Sequence, residues 1–354
     1  MNRDSRRTLT RRGMLAGMVL AALLPAAASG AGNGDAKDDA LDEHTRVGAP
    51  LTYKNLTLIP IFNRVAAKDV ANYLTLDEAF DQKLVRVREL TDESVNQLSL
   101  ENKSDRPLFV MSGEVILGGK QDRIIGKDRL IPAKKTLAVD VFCVEHGRWT
   151  EDQKDKRDFR SAKVMAHTSL RLKAAYDTQS DVWQEVASKN AQRKTENDTD
   201  TYRAVTADKQ VARSVRAYAD YFGPALAKLA DADKLVGFVV VMNGQLVGVE
   251  SFGSPRLFAK LRDKLLRSYY TEAMDLPAPA DAAVLARVPS AKDVRDFVAR
   301  PAAAEEQIIV DDKKGKTRQK KAGGFAETSV VDEAAPKPAA GEAAPTVYKS
   351  TYSH

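Results

Sequence analysis

Residues 108–125 read LFVMSGEVILGGKQDRII, and this stretch decides how the first half of the chain folds. Its first ten residues are almost all apolar, which predicts a buried strand with both faces covered. Gly118 and Gly119 end that run, four polar residues follow, and the chain then becomes apolar again. Two glycines between β-forming runs are typical of a two-residue hairpin turn, because glycine adopts positive φ angles without strain. The stretch therefore predicts a β-hairpin with these glycines at its tip.

Glycine-rich segments followed by lysine also occur in phosphate-binding loops, but the spacing here fits neither common type. A P-loop needs a glycine five positions before Gly119 and a serine or threonine after Lys120, where this chain has Gln121. A dinucleotide-binding loop needs Gly-x-Gly-x-x-Gly leading into a helix, and a β-rich run follows instead. The glycines thus predict a backbone turn.

A two-residue turn would place Glu114 directly opposite Arg123. Glu114, Gln121 and Arg123 would share one face of the hairpin, while Lys120 and Asp122 would share the other. A carboxylate in so apolar a strand needs a partner, since an unpaired buried charge is costly. Two interpretations stay open, a structural cross-strand ion pair or a functional cluster that meets a ligand.

A second concentration of polar residues follows the apolar run 137–145, which predicts another buried strand. The run ends at Glu145, and His-Gly-Arg-Trp follows at once, with the arginine at position 148. A strand end that leads into a polar turn is a common place for site residues, so Glu145 and Arg148 are candidates. Cys143 lies between two apolar residues and is predicted to be a small buried hydrophobe instead of a nucleophile.

The sequence argues against a histidine-rich metal centre. The chain has four histidines and one cysteine, without His-x-His or Cys-x-x-Cys spacing. An oxygen-ligand site built from Glu114, Asp122 and Glu145 stays open. No Gly-x-Ser-x-Gly nucleophile elbow is present, and the sequence identifies no cofactor. A single cysteine also forms no internal disulfide, so the fold must be held by its core.

The second half of the domain predicts helices and one further hairpin. Asn243-Gly244 joins two apolar β-runs, and this turn would pair Val249 with Phe238 and Glu250 with Gly237. This pattern completes an α+β fold in one globular domain. Its N-terminal half is β-rich, as a sandwich or barrel-like sheet, and its C-terminal half carries the helices and the β-hairpin.

A helix is predicted to begin after that hairpin, with Ser254 as its N-cap and Pro255 as its first residue. Serine accepts a hydrogen bond from a free backbone N–H of the first turn. Such free N–H groups also receive anions, but simple capping is the favoured interpretation.

The two ends of the chain differ in composition from the domain between them. Residues 1–31 contain two arginine pairs, a short apolar run and small residues, which predicts a secretory signal, with the twin-arginine type favoured over an ordinary signal. Residues 32–50 are an acidic linker, and 51–300 are the predicted domain. Residues 301–354 are rich in Ala, Pro, Lys and Glu, which predicts a disordered charged tail. The protein is therefore expected to be exported, to the periplasm or the extracellular space.

The charge of the chain carries little information about partners. The net charge is +6, but residues 1–31 contribute five arginines and one aspartate, so the remainder is near +2. That balance does not indicate nucleic-acid binding. The apolar run of the signal is too short for a membrane span, so no integral membrane segment is expected after its removal.

The sequence resembles a known family, the ARG and rhodanese–phosphatase-superfamily-associated protein domain, in which ARG denotes ADP-ribosylglycohydrolase. The resemblance is carried by SGEVILGGKQDR, VFCVEHGRW and VVVMNGQLVGVESFGS, and it covers roughly residues 55–275. The matching motif positions are Gly113, Glu114, Gly118, Gly119, Lys120, Gln121, Asp122, Arg123, Cys143, Glu145, Arg148 and Trp149. The resemblance implies metabolism related to nucleotides or ADP-ribose.

The leading functional hypothesis joins the glycine hairpin and the polar turn into one site for a small anionic ligand, nucleotide-like or ADP-ribose-like. The candidate ligand-binding residues are Lys120, Gln121, Asp122, Arg123 and Arg148, since arginine and lysine suit phosphate. Glu114 and Glu145 are the candidates for a general base or a ligand-orienting group. The alternative is a non-catalytic envelope binding or scaffold protein, in which the motif is a structural network.

Overall fold

The computed structural model describes residues 39–65, 72–90, 96–144, 157–193, 209–277, 279, 281–311, 315–336 and 344–354. All of them belong to one compact unit. The predicted signal lies outside the described residues, and so does the first part of the predicted linker, up to residue 38. Among the described residues, no helix combines the length and apolarity that a membrane crossing needs.

Eighteen strands among the described residues build three sheets. In chain order they are β1 (Thr45–Val47), β2 (Leu51–Tyr53), β3 (Leu56–Asn63), β4 (Leu74–Thr75), β5 (Val85–Glu89), β6 (Gln97–Asn102), β7 (Leu108–Val110), β8 (Glu114–Gly119), β9 (Arg123–Ile125), β10 (Arg129–Ile131), β11 (Thr136–Cys143), β12 (Arg157–Met165), β13 (Leu235–Met242), β14 (Gln245–Phe252), β15 (Glu306–Asp311), β16 (Lys316–Ala322), β17 (Phe325–Val331) and β18 (Thr346–Ser353).

The described helices lie mainly in the second half of the chain. They are α1 (Leu76–Asp81), α2 (Thr168–Tyr176), α3 (Gln179–Arg193), α4 (Lys209–Ala227), α5 (Pro255–Asp275), α6 (Ala282–Leu285) and α7 (Ala291–Ala299), with short 3-10 turns at Ala232–Lys234 and Arg300–Ala303. Ser254 caps α5 as predicted, because its side chain accepts a hydrogen bond from the backbone N–H of Leu257.

The largest sheet has nine described strands, in the order β1-β3-β13-β14-β18-β17-β16-β15, with β2 also pairing with β3. A six-stranded sheet has the order β12-β8-β9-β11-β6-β5, and β10, β7 and β4 form a third, small sheet. The predicted α+β class is confirmed, with sheets dominating the N-terminal half.

Helices cover the nine-stranded sheet on both faces, because its central strands are apolar on both. On one face α4 and α5 pack through rings such as Phe222 and Phe258, and Phe258 meets Phe238 of β13 edge-to-face. On the other face, Val294 and Phe297 of α7 join a cluster with β3, β13 and β14. Burial on both faces explains why the sequence of β13 is an unbroken apolar run.

The apolar run at 108–117 forms two strands, not the single strand predicted from the sequence. Gly113 turns the chain between β7 and β8 with a φ of +91°, which glycine adopts without strain. The backbone N–H of Met111 binds the carboxylate of Glu114 at 2.8 Å, and the N–H of Ser112 binds Asp128 at 2.8 Å. Carboxylates therefore accept the backbone N–H groups where the strand is interrupted. An apolar composition gives no sign of this interruption.

The Asn243-Gly244 hairpin is confirmed, but its register differs from the prediction. Beyond the turn an irregularity in β14 adds one residue, so that Phe238 lies opposite Glu250, where Val249 was expected. A one-residue shift exchanges the two faces of a strand, and it turns Glu250 into the buried interior.

The prediction of a disordered tail over 301–354 is wrong for the described part of that segment. Strands β15 to β18 extend the nine-stranded sheet, and β18 pairs with β14 near its centre. β1 also joins the sheet, so the domain extends beyond the predicted boundaries of 51 and 300. The inward side chains of β16 include Thr317 and Gln319, and such polar core residues conceal the alternation that predicts a strand.

Candidate functional site

β8 and β9 form the predicted glycine hairpin, with Ile116 opposite Arg123. The sequence prediction placed Glu114 at that position, so the predicted register is wrong by two residues and the predicted cross-strand pair is wrong with it. The connection is longer than two residues, because Gly118 and Gly119 end β8 and residues 120–122 form the turn. Both glycines do have positive φ angles, of +112° and +61°.

Two carboxylates hold the longer turn by accepting its backbone N–H groups. Asp122 accepts from Gly118 at 3.1 Å, and Glu89 at the end of β5 accepts from Lys120 at 3.1 Å. The six-stranded sheet therefore curls until the end of β5 meets the end of β8. A side chain on Gly119 would collide with Glu89 and with the ring of Phe159, so this approach requires glycine.

Glu114 lies wholly inside the protein and both of its oxygens are bound. One oxygen lies 2.5 Å from Nζ of Lys264 in α5, and the other accepts the backbone N–H of Met111 at 2.8 Å. Lys264 also pairs with Asp77 of α1 at 3.0 Å. Burial raises the pKa of Glu114 above its ordinary value, while Lys264 opposes that rise. This geometry favours a structural tie between β8, α1 and α5 over the role of a general base.

Arg123 is the largest fully buried side chain among the described residues. Its Nη1 donates to the side-chain oxygen of Gln121 at 3.3 Å, and its Nη2 lies 3.9 Å from Glu89, beyond hydrogen-bonding distance. Within the described residues, Nε and Nη2 make no hydrogen bond. These two atoms form one edge of the guanidinium, the edge that binds a carboxylate or phosphate with two parallel bonds.

Five of the seven predicted site residues are described, and all five lie in the hairpin of β8 and β9 in the six-stranded sheet. They are Glu114, Lys120, Gln121, Asp122 and Arg123. Lys120 is half-buried, while Gln121 and Asp122 are buried beside Arg123. Glu145 and Arg148 lie outside the described residues, so their predicted part in the site stays a prediction.

Cys143 is buried, as expected for a small hydrophobe, and it forms no disulfide. It lies opposite Arg123 in the pairing of β11 with β9. Its backbone N–H and carbonyl bind the side chain of Gln179 at 2.9 and 3.0 Å, which fixes the end of β11 against α3. The start of β9 is thus paired with an end of β11 that α3 holds in place.

A second buried polar centre, around Glu250, was not predicted from the sequence. Its carboxylate accepts bonds from four side chains, which are Arg171 at 2.7 Å, Tyr348 at 2.9 Å, Tyr352 at 2.5 Å and Tyr269. Burial raises the pKa of all three tyrosines well above the ordinary value, so they remain donors. A lone carboxylate in an apolar strand was the available signal, but its partners come from α2, α5 and β18.

Asp128 lies close to this centre, and its carboxyl group has a raised pKa. Burial raises its pKa to about 6, although the backbone N–H of Ser112 and the charge of Arg171 favour the ionised form. Asp128 and Arg171 line a void of about 20 Å³, which is the size of one water molecule. The centre around Glu250 is therefore packed and offers no room for a larger ligand.

A third polar cluster joins α2, α3 and α5. The hydroxyl of Ser169 donates to Glu185 at 2.6 Å, its backbone N–H donates to Glu272 at 2.8 Å, and His167 lies 3.4 Å from Glu185. Burial opposes ionisation of Glu185, but the bonds from His167 and Ser169 prevail and lower its pKa to about 2. Within the described residues, no group of three or more His, Cys, Asp and Glu side chains is arranged to hold a metal ion.

Comparison with known proteins gives one match. The model of the ARG and Rhodanese-Phosphatase-superfamily-associated Protein domain matches residues 44–335. Nothing among the curated proteins and nothing among the solved structures matches the chain. The match includes β15 to β17, which agrees with the finding that the predicted tail is part of the domain.

Proposed function

The chain belongs to the ARG and Rhodanese-Phosphatase-superfamily-associated Protein domain family, and we propose that its glycine hairpin binds a small ligand through an anionic group. The proposal rests on the edge of the Arg123 guanidinium that has no hydrogen-bond partner. Nε and Nη2 of this fully buried guanidinium make no hydrogen bond within the described residues.

Unmade hydrogen bonds on a buried arginine are unfavourable, and an anion relieves them. Leaving a buried donor unsatisfied costs about 1–3 kcal/mol, and more for a charged group. A phosphate or carboxylate that accepts from Nε and Nη2 would supply two charge-assisted bonds in the geometry that arginine presents. Glu89 already balances part of the charge at 3.9 Å, so the proposed anion has to come closer than Glu89 does.

The residues beside Arg123 have different parts in the proposed site. Lys120 at the turn is half-buried, so a charge of the turn remains accessible to solvent in the proposed site. Gln121 orients the guanidinium through its bond to Nη1. Asp122 holds the turn through Gly118, so its role in the proposal is to shape the loop.

We infer the ligand class from the family description and from this chemistry together. A nucleotide-like or ADP-ribose-like molecule offers a phosphate for Arg123 and hydroxyl groups for the turn. Binding, rather than catalysis, is the function that the described residues support best, because both oxygens of Glu114 are bound by protein groups. From the predicted signal we further propose that the protein meets its ligand after export.

A thermal-shift panel tests this function. ADP-ribose, AMP, ribose 5-phosphate and inorganic phosphate are added to the wild-type protein and to Lys120→Ala. Lys103→Ala, a change of an equally half-buried lysine after β6, is the matched control. At least one phosphate compound should raise the melting temperature of the wild type and of the control, and raise that of Lys120→Ala less.

The rival function is a scaffold in which the motif only stabilises the fold. The bonds of Glu114, Asp122 and Glu89 to the backbone favour it for those three residues. If no compound in the panel shifts the melting temperature while Lys120→Ala lowers it, the motif is structural and the binding proposal is wrong.

A further inference from the structure

A cavity of about 410 Å³ lies on the nine-stranded sheet, and it shares no residue with the glycine hairpin. The strands form its floor, α7 and the following 3-10 turn form one wall, and the segment around Leu41 and Thr45 forms another. Small-molecule sites in proteins have volumes of roughly 300–1,000 Å³, so this cavity is large enough for a ligand.

The floor of the cavity changes from apolar to charged along one row of residues. Val249 of β14 lies opposite Thr351 of β18, Thr351 opposite Glu327 of β17, and Glu327 opposite Lys320 of β16. Residues that lie directly opposite each other share a face of the sheet, so these four form one continuous line. A ligand along this line would meet a methyl surface at one end and charges at the other.

The apolar end continues into the core. Val249 packs in one cluster with Ile61 of β3 and with Val298 of α7. Ala299 of α7 and Ala302 of the 3-10 turn also line the cavity, and both are exposed. Small side chains on that wall keep this part of the cavity open.

Positive charge prevails among the lining residues, because Arg295, Lys320 and Lys349 outnumber the carboxylates of Asp42 and Glu327. Lys349 is neutralised by Glu327 at 3.2 Å. One oxygen of Asp42 accepts the backbone N–H groups of His44 and Thr45, so Asp42 is held by its own turn. Lys320 has a carboxylate, Glu306, only at 3.9 Å.

Arg295 of α7 is the cation with the most capacity left for a ligand. Its Nη1 donates to the backbone carbonyl of Ala40, and within the described residues it forms no ion pair with a carboxylate. Arg295, Val298 and Ala299 are three or four positions apart, so they lie on the same face of α7 and line the same wall. The wall therefore presents an arginine beside apolar surface.

We propose that this cavity binds a single-chain amphiphile with an anionic head, a carboxylate or a phosphate. The chain lies over Val249, Ile61 and Ala299, and the head lies between Arg295 and Lys320. This site shares no residue with the hairpin, so either proposal can be wrong while the other is correct.

Isothermal titration with four probes tests the inference on the full chain. The probes are decanoate, decyl phosphate, decyltrimethylammonium and inorganic phosphate, with the amphiphiles kept below their micelle concentrations. Both anionic amphiphiles should bind the wild type. The cationic amphiphile and inorganic phosphate should bind at least about tenfold more weakly, because each lacks one half of the recognised chemistry. The order of the two anionic probes decides between a carboxylate head and a phosphate head.

Three variants on the surface of α7 locate the binding. Arg295→Gln should weaken both anionic amphiphiles about tenfold or more, the effect of one lost charge-assisted hydrogen bond. Ala299→Trp should abolish binding by filling the cavity. Lys292→Gln removes the same charge from an exposed position of the same helix and should leave the affinity unchanged.

Melting curves of the variants confirm that each one folds. The proposal is overturned if the wild type binds neither anionic amphiphile, or if the cationic amphiphile binds equally well. It is equally overturned if folded Ala299→Trp retains wild-type affinity, or if Lys292→Gln weakens binding as much as Arg295→Gln does.

Discussion

The carboxylate of Glu114 lies 2.5 Å from the ammonium of Lys264, and both side chains are buried. The pair joins the first residue of β8 to the middle of α5, which are 150 positions apart in the chain. Two charged residues of the hairpin motif therefore have different environments. Both oxygens of Glu114 are bound by protein groups, whereas Nε and Nη2 of Arg123, at the start of β9, make no hydrogen bond within the described residues.

The Glu114–Lys264 pair predicts unequal costs for removing its two members. Lys264→Met leaves a buried carboxylate without its cation and should lower the free energy of unfolding by about 3–5 kcal/mol. Glu114→Gln should cost less, because Lys264 retains Asp77 at 3.0 Å. The double variant should cost less than the sum of the single variants. Urea unfolding of all four proteins measures this, and strictly additive costs would show that the two side chains do not interact.

Asp128 predicts a specific dependence of stability on pH. Its pKa is about 6 in the folded protein against 3.8 ordinarily, so the folded state binds the proton more tightly than the unfolded state does. The stabilisation is complete below pH 4 and is lost as the pH rises through 6, by up to about 3 kcal/mol. Asp128→Asn removes this loss.

The melting temperature of Asp128→Asn relative to the wild type should therefore rise between pH 4 and pH 8. Parallel melting curves of the two proteins at several pH values provide the measurement. A difference that stays constant over this range would show that Asp128 does not titrate there.

The last strand is predicted to be essential for the core. Tyr352 donates to Glu250 at 2.5 Å, so Tyr352→Phe should lower the free energy of unfolding by about 1.5–3 kcal/mol, as for hydrogen bonds to charged groups. Tyr221→Phe, at a tyrosine with 40% of its surface exposed, should change it by less than about 0.5 kcal/mol.

Deleting residues 346–354 should abolish cooperative unfolding. A truncated protein that melts like the wild type would contradict the assignment of β18.

The parts of the fold that sequence patterns predicted are those governed by local chemistry. Asn243-Gly244 turns the chain, and the two glycines at 118–119 lead into a turn, because of their own backbone preferences, and Ser254 caps α5 through a bond three residues away. The register around each turn depended on more distant contacts. Glu89, about thirty positions earlier, holds Lys120 and lengthens one turn, and the irregularity in β14 shifts the other.

The wrong predictions for the tail and for the partner of Glu114 have the same physical origin. β16 and β18 bury threonine, glutamine, serine and tyrosine, which form hydrogen bonds in the core and give no apolar period. Tyr348 and Tyr352 are buried because Glu250 needs donors, and that need arises almost one hundred positions away. Similarly, the sequence identified Glu114 as a charge needing a partner, but the partner in α5 is set by tertiary packing.

The most direct test of the central claim is isothermal titration of ADP-ribose into wild-type protein, Arg123→Lys and the exposed control Arg88→Lys. Lysine keeps the charge at 123 but lacks the two parallel donors of the guanidinium edge. The account predicts binding to the wild type and the control, and binding about tenfold weaker or worse to folded Arg123→Lys. Equal affinity for all three proteins, or no binding to the wild type at millimolar ligand, would contradict it.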